Sequence, residues 1–160
     1  MSLLLFMASV LFTPRLARAR GGSVKTKPAD QAFSKCVREA SDWCCEKCGT
    51  QYEKGATGLH CSHIYSRRHR TIRWCKENAQ ALCFSCHQWF GGNPADSGVW
   101  IRELMGEPYI QILQEKRDSK VKVSKLEEKD IAKHYREQLK QLEERRGNGE
   151  SGKLDFESWQ

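Results

Sequence analysis

Residues 79–92 read AQALCFSCHQWFGG and set out the plan of the fold in fourteen positions. Ala79 to Leu82 is a short apolar run of strand length. Cys83-Phe84-Ser85-Cys86 is a CxxC turn, His87 follows directly, and Cys83 to Phe90 predicts the start of a helix. Gly91-Gly92 stops it. Strand, cysteine knuckle and helix therefore follow one another without a linker.

A CxxC turn needs a second turn if it is to hold a metal, and Cys45-Glu46-Lys47-Cys48 supplies one. Four thiolates from two knuckles suit a tetrahedral structural zinc, Zn2+, with bonds of about 2.3 Å. Zinc would add folding energy that a small core lacks. Cys44 offers a CxxxC alternative with Cys48, but the match to the second knuckle favours Cys45. A disulfide scaffold is disfavoured because no convincing secretion signal is present. A redox CxxC is disfavoured because no βαβ pattern surrounds either pair. Thirty-four residues separate Cys48 from Cys83, more than a compact zinc ribbon needs. The metal would tie the ends of an inserted unit made of strand, basic loop and strand.

That unit contains LHCSHIYSRRHR, residues 59–70, in which Leu59 to Tyr65 predicts a strand. Its chemically competent groups are His60, Cys61, His63, Asn78 and His87. Phosphodiester hydrolysis needs a base for water, a cation for developing charge and a grip on neighbouring phosphates. His63 is the candidate base, and His87 a candidate ligand of a divalent ion. Arg67, Arg68, Arg70 and Arg73 are candidate DNA-binding residues through charge-assisted hydrogen bonds to phosphate. Cys61 reads as a packed strand residue, Cys36 and Cys75 as free thiols, and Trp74 and Trp89 as core or as stacking surfaces for bases.

The remaining chain divides by composition. The protein has 160 residues, eight cysteines, 29% charged residues and a formal net charge of +7. Its pI is near 9.0 and its mean hydropathy −0.70. A modest core and an acidic partner are implied, either nucleic acid or an anionic surface. The charge is uneven: +4 over residues 1–30, +2 over 31–110 and +1 over 111–160. Residues 1–29 read as a basic, poorly ordered arm. Its apolar start is too short to span a bilayer, so stable membrane insertion is not expected. The same stretch has the acid-free, arginine-containing composition of an organellar transit peptide. Residues 30–110 form the zinc-stapled domain, beginning with a helix over 30–42 and ending with one that stops at Gly106. A charged connector follows. Residues 111–146 are a helical extension whose long helix carries Ile131, Tyr135, Leu139 and Leu142 on one face. That stripe would serve either a homodimer or packing on the domain. Residues 147–160 read as a disordered tail.

The order CxxC, His63, Asn78, Cys-x-x-Cys-His87 resembles an HNH (ββα-metal) endonuclease with a structural zinc. More narrowly, FSKCVRE, CEKCG, LHCSHIYSRRHR, RW and ENAQALCFSCHQWFGGNP resemble the phage NinG-like (Rap-like) recombination nucleases, over residues 30–146. The resemblance implies an α+β fold with a small ββα-metal core, flanked by helices and a long C-terminal helix. It implies a metal-dependent DNA endonuclease acting in phage recombination or on branched DNA, including Holliday junctions, in the cytoplasm of a bacterial host. His63 would be the general base, Asn78 would hold the loop that orients it, and His87 would ligate catalytic Mg2+ or Mn2+. Cleavage would leave a 5′ phosphate and a 3′ hydroxyl.

The commoner pattern has Asp or His directly before the base, where this chain has Ser62, a poor ligand. His60 is the nearest substitute and joins His87 as candidate metal ligand. A regular strand sets it about 6.6 Å from position 62, so a bulge is expected. Gly91 stands where some variants carry a further histidine. Two other readings follow from this sparse site: a catalytically silent zinc module that binds DNA through Arg67–Arg73, and a partner-binding protein working through its C-terminal helix.

Overall fold

The structure is a computed structural model that describes residues 24–119 and 121–159. Residues 1–23 of the expected N-terminal arm, and its targeting reading, lie outside the described residues. Helix α1 runs from Pro28 to Ala40, with proline in its first turn, where the missing N–H costs nothing. The Lys27 amide donates to Asp30 Oδ2 at 2.7 Å. Phe33, Cys36, Val37 and Ala40 recur at helical spacing and are buried. The chain leaves α1 through Asp42 and Trp43, both left-handed at φ +58° and +55°. Two such residues without glycine cost roughly 1–2 kcal/mol each. The Trp43 indole holds the turn: its Nε1–H donates to Glu39 at 2.8 Å, and Arg38 lies over the ring at 5.1 Å.

Strands β1, Leu59–His63, and β2, Ala79–Cys83, form an antiparallel pair. The register runs without interruption from Leu59 opposite Cys83 to His63 opposite Ala79. The bulge expected beside His60 is therefore not there. Helix α2, Phe84–Gly92, begins directly at the end of β2, and α3, Pro94–Met105, follows. Gly106, at φ +81° and ψ 150°, ends α3 in a conformation essentially reserved to glycine. The expected charged connector instead contains a helix, α4, from Glu107 to Asp118. Pro108 suits its first turn, and Ile110 and Leu113 bury one face of it. Leu113 packs with Ile72 and Cys75, so α4 is the platform under the basic loop.

Helix α5, Lys125–Gly147, starts at a reciprocal cap in which Glu127 N donates to Ser124 Oγ and Ser124 N to Glu127 Oε2. Its buried residues Ile131, Tyr135 and Leu142 belong to the same core as Phe33 and Val37 of α1. The Phe33 and Tyr135 rings sit 5.0 Å apart. The apolar stripe is thus covered within the chain, which removes it as the homodimer surface and as a partner-binding face. An extension starting at residue 111 is also not separate: that boundary falls inside α4, and α5 completes the core of the N-terminal domain. The architecture is α+β, with five α-helices and one two-stranded sheet among the described residues.

The expectation of a disordered tail is corrected as well. Residues 148–159 form a strap in which Leu154 and Phe156 are buried in the main core. Leu154 N donates to Ala40 O at 2.8 Å, and Lys76 N to Ser158 Oγ at 2.8 Å. Burying each of the two apolar side chains is worth roughly 1.5–3 kcal/mol. Gly, Ser and Glu dominate the tail's composition, which hides two anchors spaced by one residue.

Candidate functional site

The two cysteine knuckles meet at the open end of the hairpin. Cys45 and Cys48 come from the loop after α1, Cys83 ends β2 and Cys86 lies in the first turn of α2. The four Sγ atoms all lie within 4.8 Å of one another, and Cys48 Sγ is 3.8 Å from Cys83 Sγ. A tetrahedron with 2.3 Å metal–sulfur bonds has edges of about 3.8 Å. Backbone amides already point at the sulfurs: Cys83 N donates to Cys45 Sγ at 3.2 Å, and Cys86 N to Cys83 Sγ at 3.4 Å. Hydrogen bonds with Thr50 pull the Cys48 thiol down to about 6. Burial pushes Cys83 up, but its bonds with Ser85 and the Cys86 amide outweigh that and leave it below the ordinary thiol value. All eight cysteines are free thiols. The four together can hold a structural zinc, and Cys45, not Cys44, is the member from the first knuckle.

Beside this centre, a cleft of about 600 Å³ runs along β1, lined by Ser34 and Arg38 of α1, by His60, Cys61 and His63, and by Arg67 and His87. Successive strand residues point to opposite faces. A cleft touched by both His60 and Cys61 therefore follows the strand edge that β2 leaves unpaired. His60 and His87 meet with their Nδ1 atoms 3.0 Å apart. Burial, then the His60 charge, hold the His87 imidazole below its ordinary value, which favours the neutral, ligand-competent form.

His63 Nε2 is 2.9 Å from the Arg73 carbonyl oxygen. A carbonyl only accepts, so Nε2 carries the hydrogen and Nδ1 keeps the lone pair. Burial lowers the affinity of His63 for a proton; the Arg73 carbonyl opposes this and Arg67 reinforces it, leaving the pKa below its ordinary value. Asn78, fully buried, pins the loop that carries that carbonyl. Its Nδ2 donates to Tyr65 O and Ile72 O, both at 3.0 Å, and its Oδ1 accepts from Tyr65 N at 2.8 Å. The positions expected for a base, a loop-holding amide and a pair of imidazoles are thus all adjacent.

The arginines divide differently from the expectation. Arg73 is no phosphate grip: it is 3% exposed. Its guanidinium pairs with Asp30 at 2.8 and 2.6 Å, and Trp74 Nε1 reaches the same carboxylate at 2.9 Å. Arg70 pairs with Glu128 and donates to Val123 O at 2.7 Å, so it ties the loop to α5. Arg67 lines the cleft and Arg68 is exposed. Three features escaped sequence reasoning: Asp30 as the counter-charge of Arg73, α4 under the loop, and Arg38 in the cleft wall. Asp30 read as a helix-start residue, and nothing local marks its partner 43 positions on. No protein-family model, curated protein or solved structure matches the chain. Among the described residues no helix is long and apolar enough to cross a membrane.

Proposed function

We propose that this chain is a metal-dependent DNA endonuclease of the HNH class, built around a structural zinc. The observation that carries the reading is His63: a half-buried imidazole whose Nε2–H is fixed by a backbone carbonyl, with its lone pair on Nδ1, in a cleft shared with two further histidines and two arginines. Such an imidazole is neutral at pH 7 and oriented, as a general base must be. His63 Nδ1 takes the proton of the attacking water as the oxygen–phosphorus bond forms. The bond from phosphorus to the 3′ oxygen breaks, leaving a 3′ hydroxyl after protonation from solvent and a 5′ phosphate. Asn78 acts through the loop, keeping the Arg73 carbonyl where His63 needs it.

His60 and His87 are the residues that would hold a catalytic ion. Their Nδ1 atoms already converge to 3.0 Å, so both could turn lone pairs to one ion. A divalent ion held by these two imidazoles would supply positive charge to the developing phosphorane and the leaving oxygen. No carboxylate lines this cleft among the described residues. Branched DNA and a phage recombination setting rest on the motif resemblance alone.

The test is cleavage of supercoiled plasmid and of a synthetic four-way junction with Mn2+ or Mg2+, comparing wild type with His63→Ala, both folded and zinc-loaded. Cutting by wild type only supports both the activity and the base. Binding without cutting by either points to a silent DNA-binding module. Equal cutting by both means that another group is the base.

A further inference from the structure

Most arginines whose surroundings are described have a carboxylate partner. Arg70 pairs with Glu128, Arg73 with Asp30, Arg102 with Glu107, Arg117 with Asp118, Arg145 with Glu150 and Arg146 with Asp42. Arg38 and Arg67 are different. Both line the two adjoining clefts on the α1 side of His63, and among the described residues neither has an ion-pair partner. Arg38 is half-buried, with its Nε donating to Ser34 O at 3.2 Å and its guanidinium carbon over the Trp43 ring at 5.1 Å. That contact and the single bond at Nε fix the fork and leave its terminal nitrogens to the cleft. Ser34 adds a hydroxyl to the same wall, and Cys61 forms its floor.

Both guanidinium groups line the same half-buried clefts, and no carboxylate there pairs with either of them. Every other group there is neutral or cationic, apart from Asp30, which Arg73 already engages on both oxygens. We infer that Arg38 and Arg67 form a phosphate clamp, in the cleft they share with His60, His63 and His87, that seats the DNA backbone of the strand being cut. The inference rests on the endonuclease reading and sharpens it: the basic loop contributes Arg67, and the partner of Arg67 comes from α1. An arginine fork is the side chain best matched to two phosphate oxygens at once. Such contacts position the backbone and carry no base sequence information.

The experiment measures duplex and four-way-junction binding by fluorescence anisotropy, across a KCl series without added Mn2+ or Mg2+, using the zinc-loaded full chain. Each phosphate contact contributes about 0.9 to the slope of log affinity against log salt on duplex DNA. Arg38→Ala and Arg67→Ala are each expected to reduce that slope by about one and to weaken binding roughly fivefold. Arg38→Lys should recover the slope, and Arg136→Ala, on the exposed face of α5, should leave it unchanged. Zinc content and melting temperature establish that each variant is folded. An unchanged slope in Arg38→Ala, an equal loss in Arg136→Ala, or no DNA binding by wild type overturns the clamp. The slope change without cleavage by any protein would retain the clamp and remove the nuclease. Cleavage with no slope change in Arg38→Ala does the reverse.

Discussion

The four-cysteine centre and the histidine cleft lie side by side on the same hairpin and are built in opposite ways. Each knuckle of the first is four consecutive residues, with one sulfur met by an amide of its own turn and another by an amide of the facing knuckle, and the hairpin brings the two together. The cleft gathers side chains from α1, β1, the basic loop and α2, and its His63 is held by a carbonyl ten positions away in sequence. A local centre tolerates sequence change around it. A gathered one depends on every element that supports it, including α4 and α5, which supply no side chain to the cleft. The cysteine cluster, able to hold zinc, and the loop supports serve one end: keeping the hairpin and the loop in register so that His63 faces a defined cleft.

Removing the zinc should have the largest effect. Structural zinc in small domains contributes on the order of 10 kcal/mol of folding energy at neutral pH. Chelation, or Cys83→Ser, is expected to abolish the cooperative thermal transition followed by near-UV circular dichroism. A native spectrum from metal-free protein would show that the core stands without the staple.

Next comes the buried pair behind the base. Arg73→Ala leaves Asp30 as an uncompensated buried charge, an expected loss of about 3–5 kcal/mol in denaturant unfolding. Were Arg73 a phosphate grip, the same substitution would weaken DNA binding and spare stability. Phe156→Ala probes the strap, with an expected loss of about 3 kcal/mol; a change near zero would restore the disordered tail.

His63→Ala separates the cleft from the centre: cleavage should fall about 10²–10⁴-fold, with zinc content and melting temperature close to wild type. The smallest effect is on pH dependence. Because burial lowers the His63 pKa, the proton-free base persists through pH 6.5, the ordinary histidine value, and is lost only at lower pH. The acid limb of kcat/KM should therefore have its midpoint below 6.5, and a midpoint above that value would mean that His63 is not the base.

Much of this was legible in advance because it was periodic or adjacent. Phe33, Val37 and Ala40 announced α1, Gly91-Gly92 and Gly106 announced helix ends, and the two CxxC turns announced the four-cysteine cluster. His63, Asn78 and His87 were named from their order. What stayed hidden has a common cause: a contact between distant residues leaves no local mark. Arg73 looks like its neighbours in SRRHRTIRW and is told apart only by the Asp30 carboxylate that α1 carries to it. The tail looks polar until α1 and α5 present a groove for Leu154 and Phe156. Ile110 and Leu113 are too few for a clear period, and α4 becomes visible only where Ile72 covers it.

The sequence by itself determined the two knuckles, the strands between them and the residue types available for chemistry, since spacing along a strand or turn fixes geometry over a few ångströms. Tertiary structure alone decided which histidine meets which, which tautomer His63 keeps, and which arginines remain uncommitted to an acid. Those outcomes depend on burial and on charges brought close by folding, and both are properties of the packed chain.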